Sequence, residues 1–314
     1  MDTLYIVVPC YNEQECLEES AMKLNEIMVS LMDKHKISTK SKIVFVNDGS
    51  KDKTWNIIVQ LNEKNKCFQG IKLSHNKGHQ TAVIAGLSYA CQEADIILSI
   101  DADLQDDVLA IEKMVDEYHN GNEIVYGVRT SRDTDTHFKR NTANLYYRFL
   151  KFMGIEIIDN HADFRLMSQR ACKALLEYKE VNLFLRGMVP QLGFKSTIVG
   201  YERKKRTAGV SKYPLKKMLG LAWDGVTSFS IKPLRLITFL GSLISGLSLL
   251  CIIVFSILFL CSVLKATYSF YILLSIWLVC GILLIMLGII GEYIGKMYQE
   301  VKARPRFFIE EIKK

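Results

Sequence analysis

Two uncharged apolar runs constrain this 314-residue chain more than any other feature of its sequence. Leu236 to Leu264 and Phe270 to Ile290 contain no Asp, Glu, Lys or Arg, and each meets the roughly 20 residues that a helix needs to span a bilayer core. The pattern predicts transmembrane helices over 236–264 and 270–290. A buried helical hairpin in a soluble core is the alternative, and two long adjacent runs disfavour it. The loop 265–269 carries one positive charge, Lys265, whereas both outer flanks are rich in Lys and Arg. The positive-inside rule then puts both termini on the cytoplasmic side of a multi-pass cell-membrane protein. Met1 to Pro9 reads as a short strand entering a turn, not as a signal peptide, so the front of the chain is expected in the cytosol.

Charge and cysteine content fit that setting. The formal charge is +7, and Tyr201 to Arg235 holds nine Lys or Arg against Glu202 and Asp224, so this stretch carries the whole excess. Basic segments beside a membrane are attracted to anionic head groups by about 1 kcal/mol per charge. That makes a lipid bilayer the expected partner of this charge, and no nucleic acid is expected. The eight cysteines include no CxxC pair and have no His at zinc-ligand spacing. They read as reduced, packed thiols, as in a cytosolic domain.

The front half alternates apolar runs with helical patterns. Strands are predicted at Leu4–Val8, Ile43–Val46, Ile71–Leu73, Ile96–Ile100 and Ile124–Val128, with helices at Glu15–Met32, Thr54–Asn62, Gln80–Cys91 and Val108–Tyr118 between them. This alternation argues for an α/β domain with a mostly parallel sheet and helices on both faces. In such sheets ligands sit beyond the carboxyl ends of the strands. Past Arg129 the pattern loosens into helices at Asn141–Phe152 and Gln169–Glu177 and a strand-like run at Thr197–Glu202. Leu215, Met218, Leu219, Ala222, Val226 and Phe229 then fall at helical spacing, with Lys212, Lys216 and Lys217 off the stripe. That is the pattern of an amphipathic interfacial helix, with a surface helix packed on the domain as the alternative. The expected division is a cytosolic α/β domain over 1–210, a juxtamembrane helix over 211–232, the two spans within 233–296, and a cytosolic tail over 297–314.

Three strand ends carry polar motifs. After the first strand come Pro9, Cys10, Tyr11, Asn12 and Glu13; proline stops the ladder and presents an aromatic ring and a carboxylate. After the second come Asn47, Asp48, Gly49 and Ser50. Asp48 can accept from a nucleobase NH, while Ser50 or Asp52 can cap the next helix. The fourth strand delivers Asp101, Ala102, Asp103, Leu104, Gln105, Asp106 and Asp107. Four carboxylates so close repel unless a cation answers them, and Mg²⁺ or Mn²⁺ needs only one or two carboxylates plus substrate phosphates. His75 and His79 flank Asn76-Lys77-Gly78 and read as loop residues, not as a metal pair.

With these motifs in this order, the chain resembles the family 2 glycosyltransferases of GT-A fold, and among them the polyprenyl-phosphate glycosyltransferases. The resemblance covers about residues 4 to 215, and the two C-terminal spans match bacterial members. It implies a nucleotide-sugar donor met by Pro9, Tyr11, Glu13, Asp48, Asp101, Ala102 and Asp103, with Asp103 and Gln105 as metal ligands. Arg129 matches a phosphate-binding arginine. Arg140 and Asn144 fall where the family contacts the acceptor phosphate, although serine is common where Asn144 stands. Asp163-Phe164-Arg165-Leu166 resembles an element near the sugar or acceptor, and Arg206 and Lys212 belong to an RxxGxSK element that closes over the diphosphate. The implied reaction is inverting transfer of a hexose, from UDP-glucose or UDP-N-acetylglucosamine, to an undecaprenyl-type phosphate. The catalytic set is then Asp101, Asp103, Arg129, Arg206 and Lys212, and a homo-oligomer is compatible with small residues in both spans. A processive polysaccharide synthase would carry Gln-x-x-Arg-Trp, and none of Trp55, Trp223 and Trp277 follows an arginine. An inactive lipid-binding scaffold of the same fold is the other alternative; Asp101, Asp103 and Gln105, all present, argue against it.

Overall fold

Strands that must be covered on both faces read as continuous apolar runs, not alternating ones. The first strand, Leu4–Cys10, is such a run and is buried at every position. The computed structural model describes residues 1–103, 105–130, 161–181, 183–202 and 269–314, together with Phe239, Leu243 and Leu250. In chain order these form β1 (Leu4–Cys10), α1 (Leu17–Asp33), β2 (Lys42–Asn47), α2 (Thr54–Lys64), β3 (Phe68–Leu73), α3 (His79–Ala90), β4 (Ile96–Ser99), α4 (Ala110–His119) and β5 (Ile124–Arg129). They continue as β6 (His161–Ser168), α5 (Gln169–Glu177), α6 (Leu185–Gln191), β7 (Ser196–Tyr201), α7 (Ser269–Val301) and β8 (Ile309–Lys313).

All eight strands form one sheet in the order β7-β5-β6-β4-β1-β2-β3-β8. β1 pairs parallel with β2 and β4, β2 with β3, and β5 with β7. The pairings β3–β8, β4–β6 and β5–β6 are antiparallel. The sheet is therefore mixed, where a mostly parallel one was expected. Every antiparallel pairing involves β6 or β8, the two strands that the strand-and-helix alternation does not reveal. β6 also separates β4 from β5, which consecutive alternation would have made neighbours.

Leu17, Leu24 and Leu31 of α1, Ile58 of α2, and Ile111 and Val115 of α4 pack on one face with Leu4, Ile6 and Val8. Ala82 and Ala85 of α3, Cys172 and Leu175 of α5, and Met188 of α6 pack on the other with Tyr5, Val7, Val44 and Val46. α3 lies close against the sheet: a Cβ on Gly86 would stand 2.3 Å from Val7 Cγ1. Because β1 is flanked by β2 on one side and β4 on the other, the strand order reverses there. In sheets of this kind the ligand crevice lies outside the carboxyl ends of the strands at such a point, here β1 and β4.

Residues expected as a tail are built into this architecture. α7 runs to Val301, and β8 then adds to the β3 edge. The Glu300 carboxylate accepts from Val181 N at 2.8 and 2.9 Å, Ser74 N donates to Phe308 O at 3.0 Å, and Phe307 packs against the core. Among the described residues no helix is long and apolar enough to cross a membrane. The second expected span, 270–290, falls in the 33-residue α7, whose side chains are described only in part. The first, 236–264, lies outside the described residues except at Phe239, Leu243 and Leu250, and so do the juxtamembrane helix 211–232 and the helix 141–152. The two transmembrane helices are not carried by the described fold.

Candidate active site

The β1 and β2 ends are tied into one rim. Asn12, with φ +54°, donates from its N to Ser50 Oγ at 3.0 Å and accepts from Lys51 N at 2.9 Å. Glu13 N donates to Thr54 Oγ1 at 2.9 Å. Tyr11 is 37% exposed at this rim. Pro9 does not end β1, contrary to expectation: it pairs in register with Val46, and the strand continues to Cys10. β4 pairs only from Leu4 to Val7, so no neighbour on that side needs the N–H that proline lacks. At the start of α2, Asp52 accepts from Thr54 N at 3.0 Å, whereas Ser50 Oγ serves Asn12.

Asp48 is 2% exposed and organises the next loop. Its carboxylate accepts from Lys77 N at 2.7 Å, Gly78 N at 2.9 Å and Asn76 Nδ2 at 3.0 Å. Burial raises its pKa, and the bonds from Lys77 and Gly78 oppose the rise. Gly49, at φ +64°, lets the 75–76 backbone pass; a Cβ there would lie 2.5 Å from Asn76 N. The strand end thus spends most of its hydrogen-bonding capacity on holding Asn76-Lys77-Gly78, a role that the motif did not announce.

Beyond β4, Asp101, Asp103 and Gln105 are partly exposed, while Ala102 and Asp106 are buried. Gln105 N donates to Asp103 Oδ1 at 3.2 Å. Burial, with Asp106, Asp163 and Asp103 nearby, raises the Asp101 carboxyl to about 6, against the lowering effect of His79. Among the described residues no cluster of three or more His, Cys, Asp or Glu side chains is placed to hold a metal ion. A cation that takes one or two protein oxygens and fills its remaining positions with phosphate and water still fits this donor set.

Asp106, assigned no role by sequence, is buried beside Arg129. Arg129 Nη2 donates to Asp106 Oδ1 at 3.1 Å and its Nε to Tyr201 OH at 3.3 Å. The Tyr201 hydroxyl donates in turn to Asp106 Oδ1. Desolvation lowers the Arg129 pKa, but Asp106 and Tyr201 outweigh it and the net direction is upward. Arg129, expected as a phosphate-binding arginine, is thus part of an ion pair linking β5, β7 and the β4 loop. No sequence spacing joins 106, 129 and 201.

A second charged group closes the crevice. Asp163, at the start of β6, accepts from Arg165 Nη2 at 2.6 Å and Arg186 Nη2 at 3.3 Å. His79 Nε2 stands 3.5 Å from both Asp163 Oδ2 and Asp101 Oδ1. Burial alone would raise the Asp163 pKa; Arg186, His79 and Arg165 reverse that and hold it well below the carboxylate range. So paired, it is a poor proton acceptor. Burial would lower the His79 pKa, and Asp101 and Asp163 instead raise it to about 9. His79 is a loop residue only in sequence: it opens α3 and faces the carboxylates. Arg140, Asn144, Arg206 and Lys212 lie outside the described residues.

The sheet with its crevice and acidic β4 loop is that of a nucleotide-sugar-type α/β domain, and comparison with known proteins agrees. Residues 5–176 match Glycosyl transferase family 2. The chain is 50% identical over 307 residues to the uncharacterized glycosyltransferase YkoT of Bacillus subtilis (strain 168), covering 98% of this chain and 91% of that one. It is 34% identical over 309 residues to the bactoprenol glucosyl transferase of Shigella phage SfII, covering 98% and 97%. The chain belongs to glycosyl transferase family 2. Solved structures are more distant: glucosyl-3-phosphoglycerate synthase from Mycobacterium tuberculosis shares 14% identity at a TM-score of 0.47, over 72% of this chain and 78% of that one, too little to bear on function.

Proposed function

We propose that this protein transfers a hexose, with UDP-glucose as the first donor to test, to a polyprenyl phosphate at the cytoplasmic face of a membrane. The observation that carries the reading is the match to bactoprenol glucosyl transferases over 98% of the chain, apolar C-terminal part included. The crevice supports it. Tyr11 and Glu13 border a rim suited to a nucleoside, with Pro9 and Asp48 shaping it from beneath, and Asp101, Ala102 and Asp103 follow the strand beside it. Asp103 and Gln105 would hold Mg²⁺ or Mn²⁺, which when bound supplies positive charge at the leaving diphosphate.

An acceptor phosphate oxygen attacks the anomeric carbon as the bond to the diphosphate oxygen breaks, and the nucleoside diphosphate leaves with the electron pair, inverting the centre. A phosphate monoester has a second pKa of roughly 6 and needs no strong base. This agrees with Asp163 being tied up in ion pairs. Arg206 and Lys212 are assigned to the diphosphate, and Arg140 and Asn144 to the acceptor phosphate. Arg129 acts by holding Asp106 and the β4 loop. Two membrane helices over 236–264 and 270–290 would keep the lipid beside the site.

The test is incorporation of labelled sugar into undecaprenyl phosphate by purified protein with Mn²⁺ or Mg²⁺ and a panel of UDP- and GDP-sugars. Labelled lipid from one donor, lost with EDTA and in Asp103→Asn, is expected. No labelled lipid from any donor, with the protein folded, would overturn the proposal.

A further inference from the structure

We infer that His79 is a positioning residue for donor binding: from the first turn of α3 it bridges Asp101 and Asp163 and fixes Asp101 in the crevice. The inference rests on reading that crevice as a nucleotide-sugar site. β4 and β6 pair antiparallel with Ser99 opposite Arg165; two residues further along, the same register sets Asp101 and Asp163 against each other. Ser99 Oγ donates to Asp163 O at 2.7 Å and holds the strands together there. Two carboxylates meeting in this way splay apart unless a cation lies between them. His79 Nε2 occupies that place, 3.5 Å from an oxygen of each.

The two carboxylates depend on it unequally. Asp163 also has Arg165 and Arg186, whereas among the described residues His79 is the one cation paired with Asp101. A positive side chain at a helix N-terminus works against the helix dipole, so α3 alone gives no reason for a charged ring at this position. Its aim is built in from behind. Gly78 turns with φ +89°, the Asp48 carboxylate holds Lys77 N and Gly78 N, and Gly86 lets α3 lie close on β1. The Asp48 motif and the Asp101 motif, 53 positions apart, are thereby joined through one imidazole.

The test compares His79→Ala, His79→Gln and His79→Lys with the unmodified protein in the sugar-transfer assay, each checked for folding by thermal melting. The Ala and Gln variants are expected to raise KM for the nucleotide-sugar about tenfold or more while leaving KM for undecaprenyl phosphate within about twofold. The Lys variant, which returns a cation to the gap, is expected to recover part of the loss. If the Ala variant fails to fold, the Gln and Lys pair carries the comparison. Gln behaving like the unmodified protein, or a loss shared equally between donor and acceptor, would overturn the inference. An unmodified protein that transfers no sugar would instead overturn the reading of the site, and this inference with it.

Discussion

At the scale of single residues the crevice is organised by charge pairs that cross the sheet, and these set measurable pH and stability effects. The His79 pKa is raised from the ordinary histidine value of about 6.5 to about 9 because Asp101 and Asp163 outweigh burial. A raised folded-state pKa gives stability that is fully present below the unfolded pKa and is lost as pH rises through the folded one. The melting temperature of the unmodified protein relative to His79→Gln should therefore fall as pH rises from about 6.5 to about 9. A difference independent of pH across this window would show that the ring is not charged in the fold. Tyr201→Phe removes a hydroxyl that donates to the buried Asp106 and accepts from Arg129. It should cost about 1–3 kcal/mol in urea unfolding, the range for a buried polar group left short of a partner. An unchanged midpoint would mean that water replaces the hydroxyl. Individual motif residues were legible from sequence because strand ends in α/β sheets present them in a fixed place. Their partners were not. His79, Tyr201 and Arg186 meet the motifs only through the packing of the sheet, in pairings such as β4–β6 and β5–β7, which no local pattern encodes.

At the scale of elements, the predictable part of the fold is the part with local repetition. β1 to β4 and α1 to α4 follow from apolar runs and helical spacing, and α5 was placed at Gln169–Glu177 with the bounds that it has. β6 escaped notice because Arg165 interrupts its apolar pattern. That guanidinium is nevertheless buried, 1% exposed, with Nη1 donating to Leu185 O at 3.2 Å and Nη2 to Asp163. β8 escaped for the opposite reason: Ile309-Glu310-Glu311-Ile312-Lys313 is short, charged and partly exposed, as an edge strand should be. It is held all the same. Lys72 Nζ meets Glu310 at 2.9 Å, Lys314 Nζ meets Glu93 at 3.2 Å, and Arg306 donates to Tyr178 O. Because Phe308 O accepts from Ser74 N, the strand also steadies the start of the loop that Asp48 organises. Deleting residues 305–314 should lower the melting temperature by several degrees and weaken nucleotide-sugar binding. A truncated chain with the original melting temperature and binding would show that β8 only rests on the β3 edge.

At the scale of the whole molecule, the ends of α7 decide what the unassigned middle must do. Leu283, Ile285, Leu287 and Ile294 are each more than half exposed, far more apolar surface along one helix than a soluble monomer leaves uncovered. A bilayer is the cover proposed above. The carboxyl end of α7 is fastened to the catalytic domain by Glu300 on Val181 N, and eight residue steps later, at most about 29 Å, the chain is in the sheet. The domain that precedes the apolar region and the strand that follows it therefore lie on one side of any membrane, so the proposed arrangement requires an even number of crossings between them. If α7 is one crossing, the run 236–264 has to supply the other. A charge at the middle of such a helix costs about 2.5–3.5 kcal/mol on insertion scales, so Leu283→Arg should release the protein from alkali-washed membranes far more than the same change at the exposed Val29 of α1. A protease site inserted between Ala266 and Thr267 should be cut from the outside of intact cells, while one placed after Lys314 should be cut only once the cells are opened. Protection of both sites would leave α7 as a helix covered by protein. Cleavage of both from outside would place the catalytic domain on the opposite face from its proposed donor.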